Sequence, residues 1–243
     1  MLLRGVKSIE DRLPLSPADR LQYFIDAFVR KPPDATNNKN ILYIHTPYCE
    51  SKCRYCVCHS SECKSSNDLQ KFVNIILPGQ IELFKEVFKN IKFDQVFFGG
   101  GTPTLFSPEQ LNTIFGTIPN FCDIPIKCIE CSPVSFSEEH LALFMEYDFS
   151  YISVGVQSLD RKICESQNRY WLSEGEIKKM SSALRNSGIY FNYDMLCFLW
   201  KEDIRDIPVF EENMHFILKE CQPSSVTVTN WNSPPLHANV QQR

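Results

Sequence analysis

At 243 residues the chain can bury one sizeable core, and its formal net charge of −4 comes without any long basic run that would suit a nucleic acid. No apolar stretch approaches the ~18 residues that a membrane span needs. The 11 cysteines are an odd number in a long chain that opens on no secretory signal, so free thiols in a reducing, cytosolic compartment are expected rather than a disulfide framework.

Residues 1–40 read as a polar, proline-containing arm. Ser16-Pro17-Ala18-Asp19 opens a helix in it, with Leu21, Phe24, Ile25 and Phe28 at helical spacing and Lys31-Pro32-Pro33 closing it. Such an amphipathic helix is expected to pack on the main domain. Residues 41–46 form the first strand. Residues 67–90 read as a helix carrying Phe72, Ile75 and Ile76, interrupted at Pro78-Gly79, then Ile81, Phe84 and Phe88. Residues 93–98 are almost continuously apolar, as in a parallel strand buried on both faces. Gly99-Gly100-Gly101 turns toward a helix that Ser107-Pro108-Glu109-Gln110 caps.

The alternation continues. Strand three covers 127–132, a helix runs from Ser137 through Tyr147, and strand four covers 151–157. A helix from 173 to about 186 ends at Gly188, strand five lies within 189–199, a helix covers 206–220, and strand six covers 225–229. Residues 41–230 thus form one core, with a short tail at 231–243. Six strands alternating with helices imply a parallel α/β sheet with crossover connections. In parallel α/β folds, barrels included, the chemistry collects at the C-terminal ends of the strands. Cys49, Gly100, Thr102, Glu130, Gln157 and Asp194 all fall there.

The densest chemical signal is Cys49-x3-Cys53-x2-Cys56, directly after strand one. Three thiols within eight residues can converge on one metal centre, and thiolates are the usual ligands of iron–sulfur clusters. A cubane has four irons, so three ligands leave one iron open to a small molecule. Zinc stays open on spacing alone, because Cys58 or Cys63 could supply a fourth ligand.

The cysteine triad is followed by Gly99-Gly100-Gly101-Thr102-Pro103-Thr104. It is flanked by Tyr43-x-His45-x-Pro47-Tyr48 and a Cys56-x-Cys58 ending. Gly155-Val156-Gln157-Ser158, Asn168-Arg169 and Asp194 then come in order. Over about residues 41–230 this set resembles the radical S-adenosylmethionine superfamily, and more narrowly the oxygen-independent coproporphyrinogen III oxidase family. The resemblance implies an open six-stranded parallel (β/α)6 partial TIM-type barrel. It implies a 4Fe–4S cluster on Cys49, Cys53 and Cys56, with S-adenosyl-L-methionine on the open iron. Gly99, Gly100, Gly101 and Thr102 would lie against the methionine part, Tyr43 would hydrogen-bond the cofactor, and Tyr55 would lie near the adenine. Glu130, Gln157, Arg169 and Asp194 match positions contacting its amino, carboxylate and ribose groups.

The implied activity is that of an oxidoreductase. An electron from a donor such as flavodoxin or ferredoxin cleaves S-adenosylmethionine, and a 5′-deoxyadenosyl radical abstracts hydrogen from a small-molecule substrate, porphyrinogen-like or other. Two departures point to a substrate outside porphyrinogen decarboxylation, radical methyl transfer included. Phe198-Leu199-Trp200 replaces the family's common Gly-Leu-Pro turn, and the chain stops soon after strand six. The alternative within the same family is a haem-binding chaperone, with His45 or a cysteine as axial ligand.

Overall fold

The computed structural model describes residues 39–198 and 206–231. The helix expected within 1–40, the tail from 232 onward, and Leu199-Trp200 lie outside the described residues. Within them the six expected strands all form: β1 Ile41–Thr46, β2 Gln95–Gly100, β3 Ile126–Cys131, β4 Tyr151–Gln157, β5 Tyr190–Phe198 and β6 Ser225–Trp231. They pair in chain order, each parallel to the next, in one six-stranded sheet. β1 and β6 are the two edges, so the sheet is open rather than a closed barrel.

The strands carry apolar side chains outward and mixed side chains inward. On β2 Val96 and Phe98 are buried against the helices, and on β5 Phe191, Tyr193 and Met195 are buried likewise. Their alternates Asn192 and Asp194 turn to the inner face, where polar groups can collect. The core is aromatic at one end. Phe98, Phe115, Phe121 and Phe149 pack ring to ring, with Phe115 stacked on Phe121 at 4.8 Å between centroids.

The helices cover the outer face. α1 comprises Ser66–Lys71, a wide turn Phe72–Ile76 and Leu77–Leu83, and α2 is Lys85–Asn90. α3 (Pro108–Thr117) buries Leu111, Ile114 and Phe115, and α4 (Glu138–Glu146) buries Leu141, Leu143 and Phe144. α5 is Arg161–Ser166, α6 Glu174–Ser187 and α7 Asp206–Phe216. The caps read from Ser107, Ser137 and Ser173 are all made, each hydroxyl accepting the N–H three residues on.

Two expectations are corrected. Pro78-Gly79 does not interrupt α1. The preceding turn widens so that Leu77 N–H reaches back to Phe72 O, which absorbs the missing N–H of Pro78. The chain breaks instead at Phe84. α5 was not expected; Asp160 starts it by accepting the Ile163 N–H at 2.8 Å.

Candidate functional site

β1 delivers the chain to the C-terminal rim, where residues 47–63 form the cysteine loop. A two-residue bridge between Tyr48–Cys49 and Ser61–Glu62 closes it, with Ser61 N–H on Pro47 O and Cys63 N–H on Cys49 O. Lys52 braces the interior by donating to Cys58 O at 2.7 Å and Ser60 Oγ at 3.1 Å. His45 Nε2 lies 2.7 Å from His59 O and its Nδ1 3.2 Å from the Tyr43 hydroxyl. Both nitrogens are therefore engaged, and His45 serves as a tether of this loop.

The glycine run anchors the same loop from the other side. Gly101 N–H donates to Thr46 O at 2.6 Å and Thr102 N–H to Tyr48 O at 2.7 Å. A Cβ on Gly101 would stand 2.2 Å from Tyr48 O, and one on Gly100 (φ +106°) 2.4 Å from His45 Nδ1. What these two glycines approach is thus the protein's own backbone and His45, while both still face the cavity.

A third contact comes from the segment after α5. Arg54 N–H donates to Gln167 O, Ser51 Oγ to Asn168 O, and Asn168 Nδ2 to Lys52 O, all near 3 Å. The next residue, Arg169, reaches into the loop, donating to Tyr55 Oη at 2.9 Å and lying 3.6 Å from Cys53 Sγ. It also donates to Gly155 O on β4.

Inside the rim lies a cavity of about 380 Å3. Cys49, Cys53, Cys56, Tyr55, Gly100, Gly101, Thr102, Glu130, Gln157, Arg169 and Asp194 all line it. Eleven of the thirteen residues assigned from the sequence to the cluster and its cofactor therefore share one space. Gly99 and Tyr43 do not line it. Tyr43 is stacked on Phe97 at 6.1 Å, with its hydroxyl on His45. β1 places it on the inner face one turn of pleat below the rim, beside Glu130 and Gly99.

The carboxylates are set deep. Glu130 accepts Gly100 N–H at 3.2 Å, and burial, with Asp194 nearby, raises its pKa. Asp194 accepts from Ser153 Oγ at 2.7 Å and Asn192 Nδ2 at 2.8 Å; burial raises its pKa against those hydrogen bonds. Gln157 ends β4 at φ +71°, just past a register shift between Gly155 and Gln157. A non-glycine residue held there costs on the order of 1–3 kcal/mol and re-aims its side chain over Gly155.

This donor set fits the groups considered above. The three thiols are free and half-buried, and Arg169 lies beside Cys53. Among the described residues no three His, Cys, Asp or Glu side chains close on a single ion. Three thiols facing one cavity match the chemistry of a cluster, whose irons each take one thiolate. Among the described residues Glu50 Oε1 is a buried oxygen with no partner, and Glu50 lines this cavity.

The model of the radical SAM superfamily matches residues 43–209. The chain belongs to the radical SAM superfamily. Membership implies a 4Fe–4S cluster and S-adenosylmethionine as the family's cofactors. This radical SAM chain is 29% identical over 201 residues to an oxygen-independent coproporphyrinogen III oxidase of Helicobacter pylori, covering 80% of the chain and 42% of that relative. It is 28% identical over 162 residues to the heme chaperone HemW of Haemophilus influenzae, covering 64% of the chain and 42% of the relative. Its fold matches coproporphyrinogen III oxidase (HemN) from Escherichia coli at a TM-score of 0.73 and 22% identity, over 88% of this chain and 48% of that one. The radical SAM chain thus spans less than half the length of these relatives. No helix among its described residues is long and apolar enough to cross a membrane.

Sequence reasoning passed over Ser153, Asn192, Cys131, Leu196 and Thr229. Four of them line the cavity, and Asn192 stands beneath it. Strand alternation was the available signal: Ser153 and Asn192 lie two residues before Gly155 and Asp194, and so share their face.

Proposed function

We propose that Cys49, Cys53 and Cys56 hold a 4Fe–4S cluster in this cavity and that S-adenosylmethionine binds beside it, making the chain a radical enzyme of the coproporphyrinogen-oxidase-like group. One observation carries this reading. The three thiols share a single cavity with Glu130, Gln157, Arg169 and Asp194, and the glycine loop and the 167–169 segment are hydrogen-bonded to the loop that bears them. When bound, the pair supplies one-electron cleavage of a sulfonium carbon–sulfur bond, releasing 5′-deoxyadenosine once a hydrogen has been taken from a substrate.

The residues divide the remaining work. Arg169 sits by Cys53 and offsets thiolate charge. Glu130 and Asp194 present acceptors to the ammonium and hydroxyl groups of the cofactor, and Gln157 offers an amide toward its carboxylate. Gly100, Gly101 and Thr102 form the wall between cofactor and loop. Tyr55, pinned by Arg169, fixes the aromatic side of the cavity. The substrate is a small molecule, porphyrinogen-like or other.

The test is anaerobic reconstitution with iron and sulfide, then incubation with S-adenosylmethionine and a strong reductant. About four irons per chain and formation of 5′-deoxyadenosine are expected, with Cys53→Ala losing both. Product from Cys53→Ala equal to that of the parent would remove the proposal. Addition of porphyrinogens then asks whether one raises the yield.

Similarity to a heme chaperone supports a second reading, in which the chain binds haem. Titration with haemin, followed at the Soret band, separates the two. His45 has both ring nitrogens hydrogen-bonded, which favours a cysteine over it as the axial ligand.

A further inference from the structure

Asn192 lies on β5 two residues before Asp194, is 1% exposed, and does not line the cavity. Its amide is fully used. Nδ2 donates to Asp194 Oδ1 at 2.8 Å and to Ser153 Oγ at 3.2 Å. Oδ1 accepts from Ser225 Oγ at 2.8 Å and Thr227 Oγ1 at 3.2 Å. Ser153 in turn donates to Asp194 Oδ2 at 2.7 Å. One amide thus joins side chains of β4, β5 and β6, in the row where Ser153, Asn192 and Ser225 are register partners.

The orientation of that amide follows from its neighbours. An ionised carboxylate only accepts, so the NH2 end must face Asp194 and the carbonyl must face the hydroxyls of β6. Both oxygens of Asp194 are then held, Oδ1 by Asn192 and Oδ2 by Ser153, with Thr227 also bonding the carboxylate, and Asp194 lines the cavity. β6 is the edge strand, and Thr229 on it lines the cavity two residues beyond Thr227. The same amide therefore sets a carboxylate and the free edge of the sheet beside it.

We infer that Asn192 is a positioning residue, acting through Asp194 to orient its carboxylate toward hydrogen-bond donors of bound S-adenosylmethionine. This rests on the cofactor reading above. A residue that merely knits strands together would change stability without coupling to Asp194 in binding. Coupling is what a double-mutant cycle measures.

The experiment titrates S-adenosylmethionine into anaerobically reconstituted parent, Asn192→Ala, Asp194→Ala and the double variant by calorimetry, with a thermal melt of each. Loss of an oriented hydrogen bond to a charged group predicts about 10- to 100-fold weaker binding for Asn192→Ala. The double variant should bind no more weakly than Asp194→Ala alone. Should Asn192→Ala show no cooperative melt, Asn192→Leu takes its place in the cycle. It keeps the side-chain volume and brings no charge beside Asp194, but offers it no donor. Losses that simply add, or an Asn192 variant that binds like the parent, would overturn the inference while leaving the cofactor reading intact. A parent that binds no S-adenosylmethionine would remove both.

Discussion

A methyl group at position 101 has nowhere to go. Its carbon would stand 2.2 Å from Tyr48 O and 2.7 Å from Tyr48 C, and backbone cannot swing aside as a flexible side chain would. Gly101→Ala is accordingly expected to destabilise the fold by about 1–3 kcal/mol through overpacking. Because the atom displaced belongs to the residue before Cys49, reconstituted iron should fall with it; a variant loading iron like the parent would show the loop to be yielding. The run of glycines signalled close backbone approach from sequence, but the thing approached was not readable, since it lies some fifty residues away in the chain. Glu130 carries a second residue-scale expectation. Burial raises its folded pKa, so its contribution to stability is full below about pH 4 and is lost as pH rises through the folded value. Glu130→Gln should therefore melt higher than the parent near pH 7.5, with the gap closing below about pH 4, while binding S-adenosylmethionine more weakly. Melting curves across pH decide the first part, and a parent that is the more stable at pH 7.5 would refute it.

The elements follow their local codes wherever those codes are self-contained. Ser107, Ser137 and Ser173 start helices because each hydroxyl finds an N–H three residues away, and Gly188 stops α6 at φ +75°. Pro78 misled because the remedy for its missing N–H is a widened turn upstream, which leaves no compositional mark. α5 was missed because six residues offer too little periodicity to register. One cap carries a pH dependence. Ser137 N–H and hydroxyl both lie on His140 Nδ1, at 3.2 and 2.9 Å, while Nε2 donates to Phe106 O at 2.9 Å. That arrangement needs a neutral ring, and burial lowers its pKa. A lowered histidine contributes stability above its unfolded value of about 6.5 that is lost as pH falls. The melting midpoint should drop between pH 7 and 5, and His140→Gln, which keeps a capping amide, should flatten that slope. Equal slopes in both proteins would rule His140 out as the cause.

At the scale of the molecule, the site is a junction of segments far apart in sequence. β1 brings the cysteine loop, β2 the glycines, β4 and the turn after α5 bring Gln157 and Arg169, and β5 brings Asp194. Parallel order, β1 through β6 in succession, is what lines these up on one rim, and it was readable because each strand has its own apolar run. The hydrogen bonds that couple the loop to the 167–169 segment were not readable, because each joins groups more than a hundred residues apart and most end on a backbone carbonyl, which carries no sequence signature. They make a specific demand. Asn168 holds φ +54° and ties Lys52 O through its side chain and Ser51 Oγ through its carbonyl. Its side-chain bond is the one that mutation can remove without touching a thiol or a cavity residue. Asn168→Ala is expected to speed amide exchange in residues 50–63 by about tenfold, as one lost hydrogen bond of roughly 1 kcal/mol allows. Exchange of Phe98, Phe115 and Phe149, buried in the aromatic core, should not change. Reconstituted iron should be lost faster to a chelator from the same variant, because the free energy of binding is shared with the ordering of its loop. Uniform acceleration across the core as well would mean that Asn168 stabilises the whole sheet rather than this junction.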